Sequence, residues 1–380
     1  MQDHASGKGV SGAPAPQRVL IVTDDLANGG MERQLVLLAK SLVGPWAVRV
    51  VSLTDGVYAG ALREAGIETS ILSRKFRFDV TPAIPLSRII RDWRPSIVNT
   101  YGWMSMAASI LPCRMRAIPL VDTSIRTGAV LTRGDRLVRA MATRADVVIA
   151  NSQAGLDAYG VDPGRGRVVY NGFDPDRWEL CEGGHPIGKP TTVVMTARMH
   201  RHKDYRCLVD AARILCAEDP GAWRFLAIGS GEDRPSLLTD YRDLIESGAV
   251  VFPEVGTEVL GLVSGASIGV LLTNPAYAVE GLSNSIMEYM ACGLPVICTA
   301  SGGNPEIVVD GTTGLLVPPN DVEAVVGHLR LLQDDPEVAL RMGRAGRERI
   351  AEVFTVDALV EGTLAAYELA ATRRRSKAAT

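Results

Sequence analysis

The sequence predicts an α/β protein made of two doubly wound parallel-sheet domains facing each other across a cleft. Three observations carry this. Short apolar runs alternate with helically spaced stretches from residue 18 to 180, and again from 191 to about 300, as strands buried on both faces and joined by helical crossovers do. A Gly/Pro-rich break at Cys181–Pro190 separates the two series and cannot continue an element. The length of 380 residues suits two domains at roughly 150 residues each plus extensions.

In chain order, residues 1–17, rich in Gly, Ala, Ser and Pro, read as a disordered leader. Arg18–Thr23 is the first strand. Gly29 and Gly30 follow it and open a helix over Met31–Leu42. Further strands are expected at Val48–Leu53, Glu68–Leu72, Ser96–Thr100, Leu120–Thr123, Val147–Ala150 and Arg167–Tyr170, closing a first domain at 18–180. After the 181–190 linker, a second domain at 191–354 brings strands at Thr191–Thr196, Phe225–Ile228, Val250–Phe252, Ile268–Leu272 and Pro295–Thr299. Val322–Leu332, Pro336–Ile350 and Val356–Ala371 show helical spacing only, and 373–380 is a basic tail. In such sheets ligands lie at the carboxyl ends of the strands, so the cleft is the expected site.

Composition narrows the function. Hydrophobic residues make up 47% and charged residues 22%, an ordinary globular balance. The six cysteines, Cys113, Cys181, Cys207, Cys216, Cys292 and Cys298, lack zinc spacing and read as reduced cytosolic thiols. No apolar stretch is long enough to span a bilayer. The net charge of −3 hides an asymmetry: residues 1–180 carry 22 basic and 17 acidic residues, and Arg74–Arg144 alone carries 13 and 4. Such a basic half suits an anionic membrane surface or a phosphorylated acceptor, or is a solvated surface. Nothing points to nucleic acid.

Three clusters could carry chemistry. Glu280–Glu288 (Glu-Gly-Leu-Ser-Asn-Ser-Ile-Met-Glu) follows a strand and opens a helix. Ser283, Asn284 or Ser285 can cap it, and its free amides suit a phosphate. Glu280 and Glu288 flank that anion site and need hydroxyl or cationic partners. Arg198 and Lys203, also after a strand, are placed to neutralise a pyrophosphate, one by forked hydrogen bonds and one as a point charge. Gly29 and Gly30 let backbone approach a phosphate or sugar. The glycine fingerprints of dehydrogenases and P-loop enzymes are missing. His200 and His202 have no third ligand nearby for a metal, and Asp174-Pro175-Asp176 reads as a structural turn.

The joint order of motifs resembles the family-4 retaining glycosyltransferases of the GT-B fold, which has two Rossmann-like domains. Glu280…Glu288, Tyr289–Val296, Ser301–Glu306 and Asp310–Val317 are similar to that family's donor-domain signature. Asp146–Ser152 and Asn171–Asp174 are similar to its interdomain stretch, and Gly29-Gly30-Met31-Glu32 to its first loop. The likeness spans roughly residues 18–372. It implies that Arg198 and Lys203 bind a donor pyrophosphate, that Glu280 holds a donor-sugar hydroxyl, and that Glu288 binds the ribose. Amides of Gly281, Leu282 and Ser283 would assist, with Asn284 beside them, and Gly29 and Gly30 would approach the phosphate from the other domain. Phe252 and Pro253 stand where the family contacts the base. The helix at 355–372 would pack back on the first domain.

The implied activity is metal-independent, cofactor-free transfer of a hexose from a nucleoside diphosphate, UDP first, to a hydroxyl. The charge asymmetry suggests a lipid-linked or cell-envelope glycan acceptor and a cytoplasmic protein at the inner membrane face. One departure stands out: many relatives carry a histidine in the region that here reads Asn99–Met106. Tyr101, Trp103 and Arg126 are the candidate acceptor contacts in its place. The rival readings are a sugar-nucleotide epimerase of the same fold and a catalytically silent relative that binds a nucleotide sugar or a partner.

Overall fold

The computed structural model describes residues 17–76, 79, 81–181, 187–254 and 259–379. The expected leader, apart from Gln17, and the middle of the expected linker lie outside the described residues. The first sheet contains β1 (Gln17–Thr23), β2 (Trp46–Ser52), β3 (Glu68–Ile71), β4 (Ile97–Tyr101), β5 (Leu120–Ile125), β6 (Val147–Ala150) and β7 (Gly166–Val168) in the order β3-β2-β1-β4-β5-β6-β7. The second contains β8 (Thr191–Thr196), β9 (Trp223–Ile228), β10 (Val250–Val251), β11 (Ile268–Leu271), β12 (Val296–Thr299) and β13 (Gly314–Val317) in the order β10-β9-β8-β11-β12-β13. Every pairing between these strands is parallel.

The central strands are apolar along their length because helices cover both faces. Val19–Val22 of β1 are fully buried, as are Val193–Met195 of β8. The chain order reverses between β1 and β4 in one sheet and between β8 and β11 in the other. These are the switch points at which such sheets open a crevice. The loops leaving β1, β8 and β11 carry Gly29-Gly30, Arg198…Lys203 and Glu280…Asn284 to one place.

The helix Val356–Ala379 leaves the second lobe and packs on the first, burying Leu359, Ala366, Tyr367 and Ala370 against Val19, Ile21 and Val121. Tyr367 accepts a hydrogen bond from Asn99 Nδ2 at 2.8 Å and meets Trp46 edge-on at 5.8 Å. The helix does not stop at residue 372. Arg374 and Lys377 pair with the buried carboxylate of Asp146 at 2.9 and 3.0 Å, and Arg373 donates to the Gly164 carbonyl at 3.2 Å. Residues 373–379, read as part of a basic tail, therefore form the last helical turns and anchor them through this buried ion-paired carboxylate. β13 is a strand that the apolar spacing did not single out, and β7 begins and ends earlier than expected.

Candidate active site

The site is a cleft of about 720 Å³ between the lobes. Two helices point their amino ends into it. Gly30–Leu42 starts at Gly29 and Asn284–Ala291 starts at Ser283, and neither has a side-chain cap. Ser283 occupies the cap position without capping through its side chain, and the other two expected capping residues are engaged elsewhere. Ser285 Oγ donates to the Thr196 carbonyl at 2.7 Å. Asn284 Oδ1 accepts from Asn171 Nδ2 at 3.0 Å, and its Nδ2 donates to the Gly30 carbonyl at 3.4 Å. The leading amides of Asn284–Ala291 are left for an anion, which the helix dipole favours, whereas at Gly30–Leu42 the Glu32 carboxylate folds back beside Gly29 onto its own amide.

Arg198 and Lys203 line the same cleft. Lys203 Nζ pairs with Glu280 Oε1 at 2.6 Å, the two side chains being 11% and 19% exposed. Lys203 also bridges through its backbone to Thr273, after β11, which fixes it beside the second switch point. Glu288 has two cationic partners. Its Oε1 accepts from Arg33 Nη1 at 2.9 Å and from Arg177 Nη1 at 2.8 Å. Arg33 lies on the first lobe and Arg177 in the Pro175–Leu180 3₁₀ turn before the crossover, so this carboxylate ties the lobes together. Neither arginine was singled out from the sequence. The available signal was a cation directly after Glu32 and another directly after Asp174-Pro175-Asp176, whose Asp174 caps the turn by accepting from Asp176 N at 3.1 Å.

The lobes approach closely because glycine allows it. A Cβ on Gly30 would lie 2.5 Å from Asn284 Nδ2, and one on Gly281 would lie 2.5 Å from the Arg126 carbonyl. Other motif pieces also meet across the boundary. Glu306 accepts from Gln153 N and Ala154 N at 2.8 and 2.9 Å, capping the helix Gln153–Tyr159. Thr127 bridges to Glu280.

Burial pushes the Glu32 carboxyl above the usual range, against the opposing pull of Arg126 and Arg198. Burial likewise lowers Arg126, which donates to Asn171 Oδ1 at 3.1 Å while its Nε has no partner. His202 is pushed down by burial and then by the adjacent Lys203 charge, which favours its neutral form.

Gly29, Gly30, Arg126, Arg198, Lys203, Glu280, Leu282, Ser283, Asn284 and Glu288 thus come together on the cleft wall. Gly281 sits behind it, against Arg126 and Asn151. Tyr101 is 2% exposed and lies under the Arg126 guanidinium, 5.5 Å from its ring centre, so it supports Arg126 instead of reaching the cleft. Trp103 starts the helix Trp103–Met115 and is not among the cleft-lining residues. Phe252 is buried, its carbonyl accepting from Arg234 Nη2 at 3.1 Å, and neither it nor Pro253 lines the cleft. Among the described residues no cluster of three His, Cys, Asp or Glu side chains could hold a metal ion.

Two facing parallel-sheet lobes, with cations and uncapped helix amides gathered where both sheets switch direction, define a GT-B glycosyltransferase. The comparisons agree. Residues 28–177 match Glycosyltransferase Family 4, and residues 190–335 match Glycosyl transferases group 1. The alpha-maltose-1-phosphate synthase of Mycolicibacterium smegmatis is 31% identical over 320 residues, covering 72% of this chain and 78% of the relative. The glycogen synthase of Mycobacterium tuberculosis is 26% identical over 299 residues, covering 74% and 70%. The chain belongs to the family-4 glycosyltransferases. Among solved structures, Anabaena HepE in complex with UDP superposes with a TM-score of 0.79 at 18% identity, covering 93% of this chain and all of that one. WaaG, a glycosyltransferase of lipopolysaccharide biosynthesis, superposes at 0.68 with 15% identity, covering 92% and 99%.

Proposed function

We propose that this glycosyltransferase moves a hexose from a nucleoside diphosphate, UDP first, onto a hydroxyl of a lipid-linked or cell-envelope glycan precursor, with retention and without metal, at the inner membrane face. The observation that supports it best is the convergence of Arg198, Lys203 and the bare amino end of Asn284–Ala291 on one cleft. The HepE structure was solved with UDP, and the relatives include an alpha-maltose-1-phosphate synthase and a D-inositol 3-phosphate glycosyltransferase.

In this reading the diphosphate lies between the two cations and the helix amides. Negative charge grows on it as the anomeric bond breaks, and fixed positive groups favour that state over the ground state. Lys203 holds Glu280 toward the sugar, where a carboxylate accepts from a hydroxyl. Glu288, gripped through Oε1, keeps Oε2 for the ribose. The acceptor hydroxyl enters from the leaving-group face, and the departing phosphate takes its proton, which gives retention. The closed cleft excludes water that would hydrolyse the donor.

The test uses purified protein with chelator present. Thermal shift ranks UDP, GDP, ADP and TDP, and release of nucleoside diphosphate is measured over a donor panel. Stabilisation by UDP and metal-free release are expected. No nucleotide binding and no release with any donor would refute the reading.

A further inference from the structure

We propose that the first lobe docks on an anionic bilayer through the face formed by the helices Ala83–Trp93 and Trp103–Met115. This deepens the membrane-borne acceptor of the proposed function, and rests on it for its purpose though not for the contact itself.

The argument begins with helix Trp103–Met115. It carries one charged residue, Arg114, in 13 positions. Its inner side packs on the sheet through Met106 and Cys113. Its outer side should then be polar. Instead Ala107, Leu111 and Met115, spaced one turn apart, face outward, with Leu111 65% and Met115 71% exposed. The neighbouring helix adds Ile84 at 61%. Between the two helices runs an apolar groove of about 470 Å³ edged by Arg88, Arg91 and Arg116, with no acid among the described residues of its lining. Asp92, next in sequence, is engaged by Arg91 at 2.7 Å.

Charge complementarity selects the occupant. The protein as a whole is negative, yet residues 74–144, which include this face, carry 13 basic and 4 acidic residues. Protruding apolar tips beside guanidinium groups fit the boundary between acyl chains and anionic headgroups. The other basic segment, Arg373–Lys377, is engaged with Asp146 and Gly164 on its own lobe. The amino end of the docking helix is held by Asp24, which accepts from Ser105 N at 2.7 Å, in the loop after β1. A rod of about 20 Å therefore joins the membrane-facing end to the start of the loop that, further along, carries Gly29 and Gly30 to the cleft.

The experiment is flotation of the full chain with phosphatidylcholine vesicles, with and without roughly 30% phosphatidylglycerol. Binding to the anionic vesicles, weakened by salt, is expected. The triple variant Ile84→Ser, Leu111→Ser, Met115→Ser should lose about tenfold or more in partitioning, with circular dichroism and UDP binding unchanged. Arg88→Gln with Arg116→Gln should lose the preference for phosphatidylglycerol. The proposal is overturned if the wild type ignores anionic vesicles, if the triple variant binds as well as wild type, or if the wild type is a dimer that the triple variant splits. UDP binding is read separately, so vesicle binding without nucleotide binding would refute the proposed function and leave the docking face standing.

Discussion

Lys203→Met is the sharpest perturbation of the cleft. It keeps the length and the apolar stem and removes the charge that stands 2.6 Å from Glu280. Two separable losses follow. In the resting enzyme Glu280 loses its cation. A fully buried broken pair costs about 3–5 kcal/mol. Here both partners retain some solvent, so about 1–2 kcal/mol of stability is expected once screening is counted. In the reaction, a charge about 4 Å from the leaving phosphate is worth at most about 4 kcal/mol at an effective dielectric of roughly 20. Loss of one preorganised donor in other enzymes costs a rate factor of about 10²–10³. kcat should therefore fall about 100- to 1000-fold, while the protein stays folded. The assay is UDP release in chelator, with chemical denaturation in parallel. Adding Glu280→Gln to Lys203→Met should cost much less than the sum of the single changes, because the pair acts as a unit. A Lys203→Met enzyme within about threefold of wild-type kcat, at a donor concentration that saturates it, would refute the electrostatic argument.

Other expectations follow from the same geometry. Arg33→Met removes one of the two cations on Glu288 and should weaken UDP binding about tenfold by calorimetry, with free pyrophosphate binding nearly unchanged; equal losses for both ligands would disconnect Glu288 from the ribose. Gly281→Ala places a methyl 2.5 Å from the Arg126 carbonyl, so it should wedge the lobes apart, raise the radius of gyration in solution scattering and lower kcat/KM by at least about tenfold. The buried Asp122 carboxyl accepts from Ser124 and Thr100 but has one unpartnered oxygen, and burial raises it from 3.8 to about 6. Its protonated form stabilises the fold, fully below about pH 4 and progressively less as pH rises through about 6, a span worth about 1–3 kcal/mol. Asp122→Asn should flatten the denaturation free energy across that window, and an unchanged pH slope would exclude Asp122 as its source.

The parts of this site that could be read from the sequence are those encoded locally. A strand buried on both faces is a short apolar run, and the loop after it must supply glycine or charge to meet a ligand. Arg18–Thr23 followed by Gly29-Gly30, and Thr191–Thr196 followed by Arg198 and Lys203, are therefore visible as units. Contacts set by tertiary closure leave no such trace. Arg33 and Arg177 meet Glu288 only because the lobes close, across 255 and 111 positions. The burial of Tyr101 beneath Arg126 depends on two neighbouring strands having equal reach. The cations of residues 373–377 look free until Asp146, more than two hundred positions earlier, is brought beneath them. β13 is hidden for a different reason: Gly314–Val317 opens on a glycine directly after Asp310-Gly-Thr-Thr, so it reads as the end of a turn with only three apolar residues behind it.

The return of helix Val356–Ala379 to the first sheet also governs how the chain is assembled. The second lobe is a continuous stretch and can mature as a unit during synthesis. The other lobe is interrupted: its sheet emerges early, yet the cover over Val19, Ile21 and Val121 arrives only after the whole of the second lobe has been made. Until then an apolar flank stays open to solvent and to chaperones. Destabilising changes in the second lobe, even far from any shared contact, should thus delay closure of its partner and lower the yield of native protein.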